Sequence, residues 1–255
     1  VSADAAGPFF FSGGDRGALL LHGFSGTAFE MRSLAERLAR EGFTVSAPLL
    51  PGHGTRPQDL EERTPADFLA AAERALGELA ARCRVTAAVG FSLGALLALE
   101  LAAGAPETVR AVAALSTPYH LSGSLGILLW LYAYTPIRRI LPMFPKFASS
   151  GEIRDPVWRG RAPGYDRLPL RQARALRAYF LRLRRHPPSL SCPVLLAHGE
   201  LDGVVPVSGT RELARRLGPQ NCRELYLPRS AHLLPLDLDR QILEDRIADF
   251  LKEVL

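Results

Sequence analysis

Cysteine is scarce: three residues in 255, at positions 83, 192 and 222, far apart and odd in number. That excludes a disulfide framework, and no metal-ligand spacing connects them, so they read as small buried hydrophobes in a reducing compartment. No charged-then-apolar segment opens the chain, and the expected location is cytoplasmic. Long apolar runs are missing too; none approaches the roughly 20 residues needed to cross a bilayer. Lysine is nearly absent, two against 29 arginines, which takes weight from any local arginine cluster. With no nucleic-acid motif in the chain, nucleic acid is not an expected partner. Repeats and low-complexity linkers are absent. The length and the 47% hydrophobic content suit one domain with a sizeable core.

Against those absences stands one serine in a demanding setting. Gly90-Phe91-Ser92-Leu93-Gly94 lies between the β-branched run 84–89 and the apolar helical run 93–103. A strand, a sharp turn and a helix in that order lift a serine hydroxyl clear of a sheet, and glycines two before and two after remove colliding side chains. G-x-S-x-G alone matches many chains by chance; the flanking strand and helix give it meaning.

A serine hydroxyl is a poor nucleophile near neutral pH without a base, and the base needs an orienting acid. In strand–turn–helix hydrolases these follow in the order serine, acid, histidine. The run 193–198 reads as a strand opening into Gly199-Glu200-Leu201-Asp202, and 224–227 as a strand opening into Pro228-Arg229-Ser230-Ala231-His232. Both loops follow carboxyl ends of strands, where open α/β sheets present ligand sites. His22 and His198 end apolar strands and are expected to be packed and bonded to neighbouring backbone. His53, in a Pro-Gly-His-Gly turn, is expected to make a structural hydrogen bond, and His120 and His186 to sit solvated. Asp237 and Asp239 suit the start of the last helix as caps. The expected triad is Ser92, Asp202 and His232, with Glu200 left open by spacing as an alternative acid. Backbone donors for an oxyanion are expected at Leu93, directly after the nucleophile, and at Phe24 in the loop 22–26. That loop is no phosphate cradle, lacking both a Gly-Lys-Ser/Thr tail and GxGxxG.

Six segments together resemble the α/β-hydrolase superfamily, and specifically its small bacterial carboxylesterase and monoacylglycerol lipase branch: PFFF at 8–11, LLLHGFSG at 19–26, LPGHG at 50–54, GFSLG at 90–94, GELDGVVP at 199–206 and SAHLLPLD at 230–237. The resemblance implies a serine esterase on Ser92, Asp202 and His232, with the Phe24 and Leu93 amides as oxyanion hole. One departure is Ala95, where relatives often carry a further glycine.

The expected fold class is α/β, a mostly parallel sheet with helices on both faces and an inserted cap. Expected helices include 29–40, one opened by Thr64 as cap with Pro65 first and Asp67 at the positive end, 208–217 and 240–252; 43–47 and 109–115 read as strands. Residues 1–118 and 191–255 form the core and 119–190 the cap. That cap carries 13 basic and 3 acidic residues, a net of +10 against −5 for the rest of the chain. Within it, 125–134 (LGILLWLYAY) either lines an acyl pocket, docks at a lipid surface with Trp130 and Tyr132 as anchors, or packs the cap onto the sheet. Residues 171–185 project as a helix with Leu176, Tyr179, Phe180 and Leu183 on one side and Arg171, Arg174, Arg182 and Arg185 on the other.

The chemistry implied is two-step acyl transfer to water on a small ester, with no cofactor or metal. Activity is expected to fall as pH drops through the imidazole range, about 6.5 for a free side chain. A thioesterase or peptidase would use the same triad, and a catalytically silent receptor is the alternative of another class. Haloalkane dehalogenation wants a carboxylate where Ser92 stands.

Overall fold

Alternate residues of the same strands feed two separate cores. Ala18, Leu20, Ala87 and Val89 belong to one cluster, whereas Leu19, Leu21 and Ala88 belong to the other. Side chains two residues apart share a sheet face, so a strand covered on both sides reads as an unbroken apolar run. The computed structural model describes residues 6–120, 123–140, 143–145, 152–169, 171 and 173–255.

In chain order the elements are β1 (Phe9–Phe11), β2 (Arg16–Leu21), α1 (Arg32–Arg40), β3 (Thr44–Ala47), α2 (Pro57–Glu61), α3 (Pro65–Ala80), β4 (Val85–Phe91), α4 (Leu93–Gly104) and β5 (Val109–Leu115). Then come α5 (Gly123–Tyr134), α6 (Ile137–Ile140), β6 (Met143–Pro145), β7 (Arg167–Pro169), α7 (Ala173–Arg185), β8 (Val194–Gly199), α8 (Val207–Leu217), β9 (Cys222–Leu227) and α9 (Arg240–Val254). Seven strands form one sheet in the order β1-β3-β2-β4-β5-β8-β9. Within this sheet β1 runs antiparallel to β3, and β2, β3, β4, β5, β8 and β9 are mutually parallel; β6 and β7 pair antiparallel in a separate ribbon. Helices α3 and α4 cover one face, α1 and α9 the other.

Local chemistry explains most boundaries. Thr64 Oγ1 accepts the Asp67 N–H and Asp67 Oδ2 accepts the Thr64 N–H, a reciprocal cap ahead of Pro65. The expected helix 29–40 begins as a 3₁₀ turn at Ala28–Met31 before α1 takes over. Asp237 and Asp239 do not cap α9 with their side chains. Asp237 instead accepts the N–H groups of Arg154, Asp155, Ala231 and Leu238, and Asp239 accepts Arg229 N–H and the Ser230 hydroxyl. A carboxylate surrounded by buried amides gains more there than from one helix end.

The segment between β5 and β8 divides by what it packs against. Helices α5 and α7 share a small core of Leu129, Tyr132 and Ala173, and Leu176, Tyr179 and Leu183 of α7 are buried, as its periodicity predicts. Ile153, by contrast, joins the core that contains α1 and α9. Trp158 lies edge-on to Phe29 at 5.3 Å, and the Tyr165 hydroxyl donates to Gly52 O at 2.7 Å. The proposed cap boundaries 119–190 include residues 121–122, 141–142, 146–151, 170 and 172, which lie outside the described residues. Among the described residues no helix is long and apolar enough to cross a membrane.

Candidate active site

Ser92 sits between β4 and α4 with φ 53° and ψ −114°, a conformation costing a non-glycine residue about 1–3 kcal/mol. The surroundings impose it. A Cβ on Gly90 would lie 2.0 Å from Gly94 O, and one on Gly94 would lie 2.2 Å from Leu21 O, so only glycine fits at either position. Ala95 is fully buried, and nothing at that position disturbs the turn. Ser92 N–H donates to Leu115 O at 2.8 Å, tying the turn to β5.

The other expected side chains converge on Ser92. His232 Nε2 lies 3.2 Å from Ser92 Oγ and its Nδ1 lies 2.8 Å from Asp202 Oδ2. With the ring proton on Nδ1 donating to the carboxylate, Nε2 accepts the serine hydroxyl. Asp202 Oδ1 accepts the N–H groups of Val204 and Val205, each at 2.8 Å. Burial alone would raise the Asp202 pKa; the positive charge available on His232 and the N–H donors of His198 and His232 outweigh it and hold the carboxyl below its ordinary range. Glu200 is exposed, and the carboxylate bonded to His232 is that of Asp202.

Two features around His232 go beyond the sequence reading. The Ser116 hydroxyl, just past β5 and itself at φ 47°, donates to His232 O at 2.8 Å. His198 is not simply bonded to backbone, since its Nε2 also reaches Asp202 Oδ2 at 3.1 Å. A serine immediately after an apolar strand aimed at the same sheet edge was the only available hint for the first.

The loop 22–26 is clamped from both sides. His22 Nε2 accepts Leu50 N–H at 3.0 Å while its Nδ1–H donates to Gly23 O at 2.9 Å. His53 Nε2 accepts Ser25 N–H at 3.2 Å and its Nδ1–H faces Leu50 O and Pro51 O. Burial lowers the pKa of His22 to about 3, helped by neighbouring His53 and opposed by the Gly23 hydrogen bond. Burial likewise lowers His53 to about 4 against the two backbone hydrogen bonds. On the opposite side, buried Glu30 accepts Gly23 N–H at 2.9 Å, and a Cβ on Gly26 would meet its carboxylate at 2.0 Å. Of the remaining histidines, His186 is exposed and His120 pairs with Glu212.

Above Ser92 opens a cavity of about 630 Å³, within the range of small-molecule sites. Phe24, Leu93 and His232 line its floor, and Leu128, Phe144, Leu168, Leu176 and Phe180 line its upper wall. The upper wall comes from the segment between β5 and β8, whereas Ser92, Asp202 and His232 come from the turns that follow β4, β8 and β9. Among the described residues no group of His, Cys, Asp and Glu is placed to hold a metal ion.

A family model described as alpha/beta hydrolase matches residues 18–244, which spans every element from β2 into α9. The chain is an alpha/beta hydrolase. This hydrolase is 30% identical over 248 residues to a thermostable monoacylglycerol lipase of a Bacillus species, covering 96% of this chain and 94% of that protein. It is 23% identical over 250 residues to a carboxylesterase of Bacillus subtilis, covering 97% and 96%. Among solved structures, one reported for the metagenome-derived lipolytic enzymes LipS and LipT superposes with a TM-score of 0.87 at 27% identity, covering 98% of each chain.

Proposed function

We propose that this alpha/beta hydrolase is a serine carboxylic-ester hydrolase acting on short- to medium-chain acyl esters, monoacylglycerols among them. The observation that carries the reading is the continuous hydrogen-bonded line Asp202–His232–Ser92 at the floor of an apolar cavity. The relatives named monoacylglycerol lipase and carboxylesterase support the same chemistry.

His232 takes the Ser92 proton as the hydroxyl attacks the ester carbonyl, and Asp202 stabilises the resulting imidazolium. The oxyanion is assigned to the amides of Leu93 and Phe24. Leu93 is the first residue of α4, where amides have no partner within the helix and the dipole favours negative charge; Phe24 lies in the clamped loop beside it. His232 then protonates the leaving alcohol, and water hydrolyses the acyl-enzyme by the same route.

Residues 119–190 are assigned as the cap. Its outer face supports transient contact with a lipid surface. Trp130 is 48% exposed and so accessible to such a surface, whereas Tyr132 is 1% exposed and packs inside instead. Tyr134, Ile127 and Ile140 are also exposed, with Arg174 and Arg177 beside the Tyr134 ring. The three free cysteines support a cytoplasmic location.

The test is hydrolysis of p-nitrophenyl esters from acetate to palmitate by the wild type and Ser92→Ala. The variant is expected to lose about 10⁶-fold in kcat, and the best chain length sizes the cavity. A wild type inactive on every ester would end the esterase reading and move attention to thioesters and peptides.

A further inference from the structure

A second histidine stands on the far side of Asp202. His198, the penultimate residue of β8, is fully buried. Its Nε2 lies 3.1 Å from Asp202 Oδ2, the oxygen that His232 Nδ1 reaches at 2.8 Å, and 3.1 Å from Val205 O. Two acceptors facing Nε2 place the ring proton there. Nδ1 is therefore the acceptor, and the Thr210 hydroxyl, 2.7 Å away on α8 and also fully buried, donates to it. Five side chains thus line up in contact, Thr210, His198, Asp202, His232 and Ser92, with the single His198 Nε2–H shared between Val205 O and Asp202 Oδ2.

We infer that His198, oriented by Thr210, is a positioning residue for Asp202 that shares one carboxylate oxygen with His232 and so sets how strongly the acid stabilises the imidazolium. The inference rests on the reading of Asp202 as the acid of the triad. The Val204 and Val205 amides already occupy Oδ1, so Oδ2 alone is divided between the two rings. A carboxylate bonded by two ring N–H donors delivers less charge to each than one bonded by a single donor. Removing the His198 donor therefore strengthens the pull on the imidazolium while loosening the Asp202 side chain. Asp202 faces His198, His232 and the two valine amides; the His232 ring faces Ser92 and Phe91, with Glu30 and Glu152 on the cavity wall. None of these changes in the His198 and Thr210 variants below, apart from His198 itself.

The experiment is the pH profile of kcat/KM on a short-chain p-nitrophenyl ester for the wild type, His198→Gln, His198→Leu and Thr210→Val, each with its melting temperature. His198→Leu is expected to lower kcat about 10-fold with KM little changed and to move the acid limb up by about 0.5–1 pH unit. Glutamine carries an N–H donor at the reach of Nε2 and is expected to restore the wild-type limb. Thr210→Val, nearly isosteric, is expected to move the limb the same way by less. Unmoved limbs in folded His198→Leu and Thr210→Val would reduce His198 to packing and overturn the inference. If His198→Leu does not fold, Thr210→Val decides in the same sense. Asp202→Asn separates the two levels: a fully active variant removes the triad reading itself. An inactive Asp202→Asn alongside unmoved limbs removes only the role of His198 and Thr210.

Discussion

Below the cavity, position is set by directional bonds; above it, by contact. Ser92, His232, Asp202 and the loop 22–26 are held by named N–H and O–H donors and by backbone approaches closer than a methyl group allows. Leu128, Leu176 and Phe180 in α5 and α7 meet the chamber through apolar surface alone. Hydrogen bonds lose most of their value over a few tenths of an ångström, whereas apolar contact tolerates exchange of side chains of similar volume. The lower region can therefore keep one chemistry while the upper region changes what fits.

Four substitutions or conditions press on that contrast, taken from the largest expected effect downward. Gly94→Ala drives a methyl to 2.2 Å from Leu21 O, backbone that cannot give way, and is expected to cost at least about 100-fold in kcat/KM through misplacement of Ser92. Near-normal activity in that variant would break the claim that the lower region is rigid.

Acid is the second probe. His22 and His53 are near 3 and 4 in the folded protein but about 6.5 in the unfolded chain. The unfolded chain therefore binds more protons between these values, and stability falls as pH falls. Their contribution is complete above about pH 6.5 and is lost progressively below it until pH 4 for His53 and pH 3 for His22, a decline on the order of 3 kcal/mol for each ring, about 6 kcal/mol together, between pH 7 and pH 4. Asp202, whose pKa is lowered from an ordinary 3.8, adds its own loss only below that window. Urea unfolding across this range measures the slope. His53→Asn, which keeps an acceptor near Ser25 N–H without an ionisable ring, is expected to flatten it; an unchanged slope would clear His53.

Third, Phe180→Ala enlarges the upper wall. It is expected to shift chain-length preference toward longer acyl groups by about 10-fold in relative kcat/KM while leaving the rate on acetate esters near wild type. Equal losses on all esters would mean the wall also positions the lower site. Last, Thr64→Ala removes the α3 cap and is expected to cost about 1 kcal/mol in urea unfolding with kcat/KM unchanged, a control for stability effects remote from both regions.

The same contrast governs what could be read from sequence. Glycines around Ser92, strand-end acids and histidines, and the Thr64 cap leave marks because each geometry tolerates few residue types. The strand β1 and the helix α2 were missed as elements, being three and five residues long and too short to show a period. Asp237 and Asp239 were misassigned because an acid before a helix looks the same whether its oxygens face that helix or a neighbouring loop. His198 and Ser116 depend on which strands adjoin, and β5–β8 adjacency is a property of the whole sheet. Tyr132 and Trp130, two residues apart, differ only in which side of α5 finds a partner in α7.

The Asp237 carboxylate bears on how this protein could be recombined. Its oxygens hold Arg154 and Asp155 from the insertion and Ala231 beside the histidine, while Ile153 sits in the core. A cassette exchanged from 119 to 190 would carry away part of the scaffold that seats His232. A chimera that retains residues 152–165 and exchanges the helices on either side would follow the seam along which the molecule is assembled.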